Sequence, residues 1–292
     1  MKGDPKSVRF VRPSTVTQAV AEYARDPEAL PLAGGTDVMV AWNSGLLNGR
    51  SILDLSAVPG WSSIRRRDGA LRIGALCTHS AIRDDAGVRR HFQLLAQACS
   101  MVGSVQIQNR GTLGGNIANA SPAGDTLPVL AVYEARVRTV SSSGPRELAL
   151  LDVFAGVKKT RLLPSELIES VDLPFPAVRP SRDLWRKVGP RSAQAISKLM
   201  AAGLLWLERD GRVRELRFAL GSMAPTVRRL TAAEAFLAGK KPSRDVVREA
   251  CRLLEKDVSP IDDFRSTAEY RLRVAQNLLA DLLAPGSRLE LP

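Results

Sequence analysis

Apolar and polar positions change period several times along this chain, and each change marks an element. Behind a Ser14 or Thr15 cap, Val16, Ala19, Val20 and Tyr23 share one helical face, and the run stops at Asp26-Pro27. A short apolar strand, ALPLA, then enters Gly34-Gly35, TDVMVAWNSG returns to helical character, and SILDL at Ser51 to Leu55 reads as a strand. From Trp61 to Leu76 the period falls to two, Leu71 and Ile73 alternating with polar neighbours in a hairpin that turns at Asp68-Gly69. SAIRDDAG and RRHFQLLAQACSMVG follow as two helices, the second ending at Gly103. The stretch GTLGGNIANASPAGDTLP, Gly111 to Pro128, has no period and reads as a connector. After it TLPVLAVYEA is predicted helical, and RVRTV and RELAL form a hairpin about SSSGP.

Three prolines in PFPAVRP, Pro174 to Pro180, suit an extended linker. Beyond it, ISKLMAAGLLWLERDGRVRELRFALG predicts two long strands around Asp210-Gly211. Three helices close the chain, in TAAEAFLAGK, SRDVVREACRLLEK and STAEYRLRVAQNLLADLLA, each opening near a Ser or Thr cap.

The chain of 292 residues can hold two or three compact units, and 45% hydrophobic with 25% charged residues excludes wholesale disorder. No apolar run is long enough to cross a bilayer and the N-terminus has no signal-like core, so the cytoplasm is the expected compartment and no membrane partner is expected. Cys77, Cys99 and Cys251 form no CxxC, which argues against a disulfide framework and against a zinc or iron–sulfur site. With His79 and His91 the two histidines, metal chemistry and a Ser-His-Asp triad are poorly supported. These side chains point to a bound organic cofactor or to no chemistry at all. The net charge of +12 admits nucleic acid, an anionic ligand or an acidic partner protein. Its one cluster, IRRRDG at Ile64 to Gly69, reads as a solvated turn, and 5% aromatic residues leave few platforms for stacking bases, so nucleic acid is not expected.

Two glycine clusters hold the candidate chemistry. In LAGGTDV, Gly34 and Gly35 admit positive φ and remove bulk, so that backbone donors and the Thr36 hydroxyl reach an anion. In GTLGGNIANASPAGD, Gly114 and Gly115 are read in the same way, with Thr112, Asn116 and Ser121 as short donors and Asp125 suited to a ligand hydroxyl or amine. Neither cluster is GxGxxG or GxxxxGKS, so a nicotinamide-type Rossmann site and a P-loop are unsupported. Either cluster alone is equally consistent with an ordinary turn. Together they fit a large dinucleotide between two lobes.

LAGGTDV, QIQNRGTLGGNIANASPAGDTLPVL, VKKTRLLPSELIESVDLP, RKVGPRSAQAIS, ALGSMAPTVRR and SPIDDFRSTAEYRL resemble, in this order, the FAD-binding medium subunit of the xanthine dehydrogenase family of molybdenum hydroxylases. The resemblance implies an α+β protein: a two-subdomain FAD-binding fold of the vanillyl-alcohol oxidase and cell-wall reductase type, with subdomains at 1–56 and 57–176. A C-terminal flavoprotein domain with a small antiparallel sheet and helices is implied at 181–292. It implies cofactor contacts from Pro31, Leu32, Ala33, Gly34, Gly35, Thr36, Asp37 and Val38, and from Thr112, Leu113, Gly114, Gly115 and Asn116. Ser121 and Asp125 would meet polar cofactor atoms, and Ile168 and Lys187 would lie near the flavin ring. Read from the residues alone, Ile168 is core packing and Lys187 a solvated cation.

No residue of this chain is implied as an acid or base catalyst. The implied partners are a [2Fe-2S] small subunit and a molybdopterin-binding large subunit, with NAD as the usual electron acceptor. The motifs AGGTDV and GGNIANASP favour a xanthine dehydrogenase; a carbon monoxide, aldehyde or aromatic-heterocycle dehydrogenase is the alternative. A basic scaffold without cofactor is the alternative of another class. Two departures stand out: Gln108 occupies a position where family members commonly carry arginine, and Val102 replaces an aromatic residue found near the flavin in some relatives.

Overall fold

The computed structural model describes residues 3–191 and 194–286; Ser192 and Ala193 of RKVGPRSAQAIS, and positions 287–292, lie outside the described residues. Three sheets follow one another along the chain. The first is parallel, in the order β1 (Arg9–Val11), β3 (Ser51–Asp54), β2 (Leu30–Leu32), with crossovers through α1 (Val16–Arg25) and α2 (Val38–Asn43). Thr15 is the α1 cap, its side chain accepting from the Gln18 amide. Strand β1 was not expected from the apolar pattern, because Arg9 and Phe10 both face solvent.

The second sheet is antiparallel. It contains β4 (Ile64–Arg67), β5 (Ala70–Gly74), β6 (Arg136–Ser141), β7 (Gly144–Ala149) and β10 (Leu167–Pro174), in the order β4-β5-β10-β6-β7. The β4–β5 hairpin turns at Asp68 and Gly69, both with positive φ, as a two-residue turn between twisted strands requires. Arg72 on β5 makes a buried two-pronged contact with Asp172 on β10, at 2.7 and 2.6 Å. The small hairpin β8 (Phe154–Gly156) and β9 (Lys159–Thr160) lies apart from this sheet.

Six short helices fill the chain between β5 and β6: α3 (His79–Asp84), α4 (Ala86–His91), α5 (Gln93–Ser100), α6 (Val105–Gln108), α7 (Leu113–Ala118) and α8 (Leu127–Val132). The helix expected from Arg89 to Gly103 is two helices, because Phe92 leaves helical geometry at φ −135° and turns its ring into the core. The stretch read as a connector contains α7, which Thr112 caps by accepting from the Gly115 amide.

The third sheet is antiparallel, in the order β11 (Arg182–Val188), β12 (Leu199–Leu207), β13 (Val213–Gly221), β14 (Arg228–Arg229), and packs with α9 (Thr231–Leu237), α10 (Arg244–Leu254) and α11 (Ala268–Leu283). Ser243 and Thr267 cap α10 and α11 as expected, whereas α9 follows Leu230 without a side-chain cap. Strand β12 is apolar throughout because both its faces are covered. Leu199, Ala201 and Leu205 pack with the three C-terminal helices, while Met200, Ala202, Leu204 and Trp206 join the core of the second sheet and α3–α8. No helix of the described residues is long and apolar enough to cross a membrane.

Gly203 sits where β12 meets α11. A Cβ there would lie 2.5 Å from Leu282 Cδ2 and 2.8 Å from Phe218 Cδ2. Gly203→Ala is therefore expected to destabilise the C-terminal domain by about 1–3 kcal/mol through overpacking. A lower denaturant midpoint checks this; an unchanged midpoint would show that the sheet and α11 part freely.

Candidate functional site

The two glycine clusters meet in space. Gly34 lies against the backbone that leads into α7, so closely that a Cβ on it would fall 1.7 Å from the Arg110 carbonyl oxygen and 3.1 Å from Gly111 Cα. Gly35 has φ +78°, the left-handed region that glycine enters at little cost. The turn from Gly34 to Val38 leaves a run of backbone donors unused. Among the described residues, none of the amides of Gly34, Gly35, Thr36, Asp37 and Val38 donates to a protein acceptor, and α2 has no side-chain cap. Pro31 and Leu32 lie on β2, paired with Leu53 and Asp54, and Ala33 leads from the strand into the turn.

The second cluster is built differently from the first. Neither Gly114 nor Gly115 has positive φ, and the donors of this loop are spent inside the protein. The Leu113 amide donates to Cys77 O at 3.0 Å, Gly114 to Ala75 O at 2.9 Å, Gly115 to Thr112 Oγ1 at 3.1 Å, and Asn116 to Thr112 O at 2.9 Å. Gly114 is a glycine for close approach: a Cβ there would lie 2.6 Å from that of Ala75. Gly115 instead faces solvent. Asn116 Oδ1 accepts from Thr126 Oγ1 at 2.7 Å, and Ser121 Oγ accepts from the Ala123 amide at 3.3 Å. His79 lies buried beneath this loop, its amide donating to Gly111 O at 3.0 Å, and burial pushes its imidazole down to about 4.

A polar clasp joins the clusters across their open side. Asn119 Nδ2 donates to Asp37 Oδ1 at 3.1 Å, and Lys158 Nζ donates to Asn119 Oδ1 at 2.6 Å while standing 3.9 Å from Asp37 Oδ1. Lys158 turns between β8 and β9 at φ +56°, and its amide donates to Ala120 O. Sequence reasoning did not single out Asn119 or Lys158. Both lie inside the quoted motifs, but nothing in either motif tells that they meet.

Asp125 and Lys187 also meet, across the junction with the third sheet. Lys187 Nζ donates to Asp125 Oδ2 at 2.7 Å and to Met101 O at 2.8 Å, with both side chains almost wholly buried. Asp125 Oδ1 is buried with no partner among the described residues. Burial pushes the Asp125 carboxyl up to about 6, and the adjacent ammonium only partly opposes this. Ile168 is buried on β10, which runs beside α7, and shares a core with Leu113 and Ile117. Gln108 is buried too: its Oε1 accepts from Arg83 at 2.9 Å and its Nε2 donates to Ser100 O at 2.9 Å. Val102 is likewise buried.

Residues 6–176 match a family model described as the FAD binding domain in molybdopterin dehydrogenase, and residues 186–285 match the CO dehydrogenase flavoprotein C-terminal domain. The chain is 28% identical to the nicotine 6-hydroxylase medium subunit of Paenarthrobacter nicotinovorans, over 94% of this chain and 95% of that protein. It is also 28% identical to the xanthine dehydrogenase FAD-binding subunit of Escherichia coli O157:H7, over 96% and 98%. The structure is similar to a chain of carbon monoxide dehydrogenase from Hydrogenophaga pseudoflava in a form lacking the Mo-pyranopterin moiety, with a TM-score of 0.89 and 26% identity over 96% of this chain and 97% of that one.

The Asp125 carboxyl imposes a pH dependence whose sign is set. Its folded pKa lies above the ordinary value, so the native state holds this proton more tightly than the unfolded chain. The resulting stability is fully present below about pH 4 and is lost as pH rises through about 6, amounting to roughly 3 kcal/mol at most. The stability of the wild type relative to Asp125→Asn is therefore expected to fall between pH 4 and 6 and level off above 7. Denaturant titrations across that range check this, and a difference that rises with pH contradicts it.

Proposed function

Because this chain belongs to the family of FAD-binding medium subunits of molybdopterin hydroxylases, we propose that it holds FAD along the seam between the Gly34–Gly35 turn and α7, as the electron-transfer subunit of a three-part enzyme. The observation that carries this reading is the run of five amides without a partner among the described residues, at a turn where no side chain fits at residue 34. Such a cradle suits a pyrophosphate. Each hydrogen bond to a charged oxygen contributes about 1.5–3 kcal/mol, so a few bind it without a lysine. The alternative of a cofactor-free scaffold is set aside, since the FAD-binding domain accounts for residues 6–176.

In the proposed arrangement the cofactor unit comprises subdomains 1–56 and 57–176, of the vanillyl-alcohol oxidase and cell-wall reductase type, with the C-terminal flavoprotein domain at 181–292. When bound, FAD would supply redox chemistry able to link the one-electron [2Fe-2S] clusters of a small subunit to a two-electron acceptor such as NAD. The chain's own residues place and tune it. Amides 34–38 bind phosphate oxygens, Thr36 adds a hydroxyl, and Gly115 presents a surface without bulk, backed by the buried Leu113. The clasp of Asp37, Asn119 and Lys158 fixes the spacing of the two loops. Asp125 Oδ1, buried without a partner among the described residues, suits a hydroxyl or amine donor. Ile168 offers an apolar wall to the ring, and Lys187 a charge.

That charge depends on a proton held at Asp125: the pair is neutral when the carboxyl is ionised and positive when it is not. Hydroxylation of the substrate belongs to a molybdopterin-binding large subunit. Our preferred reading is a xanthine dehydrogenase, supported by AGGTDV and GGNIANASP. A nicotine hydroxylase subunit matches at the same identity, as expected if the substrate touches only the large subunit.

Purified with its partner chains, the protein is expected to show a flavin spectrum and to release FAD on heating. Gly34→Ala should keep wild-type circular dichroism and lose the flavin; full FAD retention by this variant would contradict the cradle. Below about pH 6, where the pair is positive, Lys187→Met is expected to lower the flavin midpoint potential, and an unchanged potential there would place Lys187 away from the ring.

A further inference from the structure

Most arginines of the second unit are answered by acids. Arg72 faces Asp172, Arg83 and Arg89 face Asp84, Arg136 and Arg138 face Glu147, and Arg146 faces Glu166. Arg65, Arg66, Arg90, Arg110 and Arg161, with Arg179 of the linker, form no ion pair among the described residues; of these, Arg66, Arg90 and Arg179, all exposed, bear together on His91. They come from three segments, the edge strand β4, the end of α4 and the proline-rich linker. Phe175 lies among them. The Arg66 guanidinium sits 4.5 Å over its ring, and the His91 ring meets it edge-on at 5.1 Å, with Phe92 behind at 5.5 Å. Burial, and then the field of Arg66, Arg90 and Arg179, keeps the His91 imidazole below its ordinary range. The turn acid Asp68 is directed at Arg67 and Arg72 and leaves the group uncompensated.

We propose that Arg66, Arg90 and Arg179 form a docking face for an acidic surface of a partner protein subunit, an inference that rests on the reading of this chain as one part of a multi-subunit enzyme. Arg66 is held in place by Phe175, so it loses less freedom on pairing, and guanidinium forks match carboxylates two bonds at a time. Interfaces are enriched in arginine and aromatic residues of this kind. Nucleic acid suits the face less well, because Phe175, the aromatic ring at its centre, is covered by Arg66 and His91 and offers no base a stacking surface. Strand β4 also has an edge here that no other strand of the described residues covers, so the partner meets an open rim.

The strand supplies its own control. Ile64 and Arg66 point to the helix-covered side of the sheet, so alternation sends Arg65 to the other side, next to Arg72. Arg65→Glu changes net charge as Arg66→Glu does, but on the wrong side. The test is co-expression of the tagged chain with its partner chains, measuring partner retained at rising salt and FAD bound per chain by absorbance. Arg66→Glu/Arg90→Glu is expected to keep its FAD and to retain about tenfold less partner at low salt. Arg65→Glu should behave as wild type, and the wild-type complex should weaken as salt rises. Undiminished partner retention by the double variant overturns the proposal, as does an equal loss in Arg65→Glu, which would make the effect one of net charge. Binding of a single-stranded oligonucleotide that depends on Arg66 and Arg90 would assign the face to nucleic acid and also overturn it. A wild-type chain without FAD would instead sink the flavin reading while the partner assay still reports on the arginines.

Discussion

The Arg110 carbonyl oxygen stands where a side chain at residue 34 would begin, and the candidate site depends on that close approach. It requires glycine at position 34, and it locks the turn after β2 onto the chain entering α7. With the turn so fixed, the left-handed Gly35 swings the next amides away from the protein's own carbonyls. An ordinary helix entry would have satisfied one or two of them with a capping side chain. Here the residue at that position, Asp37, turns its carboxylate to Asn119 instead. The donors therefore stay unspent, and a buried or half-buried donor without an acceptor is costly unless something else supplies one. In the proposed reading the flavin cofactor is that supplier.

A second constraint comes from the far end of the chain. Because β12 buries both faces, the C-terminal sheet cannot move away from α8 without exposing Met200, Ala202, Leu204 and Trp206. That packing is what brings Lys187 to Asp125 and Met101 O. A buried ion pair is a poor source of stability, since desolvating both groups offsets their attraction. Its value here is positional and electrical. The pair ties the helices before β6 to the C-terminal sheet and leaves one buried carboxylate oxygen without a partner among the described residues.

How much of this was legible in the sequence varied with how local the cause was. The hairpins at Asp68-Gly69 and Asp210-Gly211 were readable because an Asp-Gly turn between apolar runs is determined by neighbouring residues. The long C-terminal helices were readable from their apolar faces and their Ser243 and Thr267 caps. Helix α7 was hidden, because Leu-Gly-Gly-Asn has poor helix propensity and its first turn is held by Thr112 and by bonds to Ala75 and Cys77. The break at Phe92 was hidden for a similar reason: an apolar residue in an apolar run gives no sign that it serves the core of another layer. Both glycine clusters were marked by composition, but their different uses were not. One leaves its amides free and the other spends them, a distinction that depends on which strand ends pass nearby. The pairing of Asp125 with Lys187 joins residues 62 positions apart, and the clasp through Asn119 and Lys158 joins three segments, so no spacing rule could reveal either.

The central claim is that the amides from Gly34 to Val38 are held free for the pyrophosphate of FAD. Site-resolved hydrogen exchange on the complex, with FAD bound and after its removal, tests this most directly. The account predicts slow exchange at 34–38 with FAD, fast exchange without it, and little change at Leu113 to Asn116, whose amides are bonded within the protein in both states. Exchange at 34–38 that is the same in both states would contradict it, and protection appearing only at 113–116 would show that the wrong glycine cluster had been chosen.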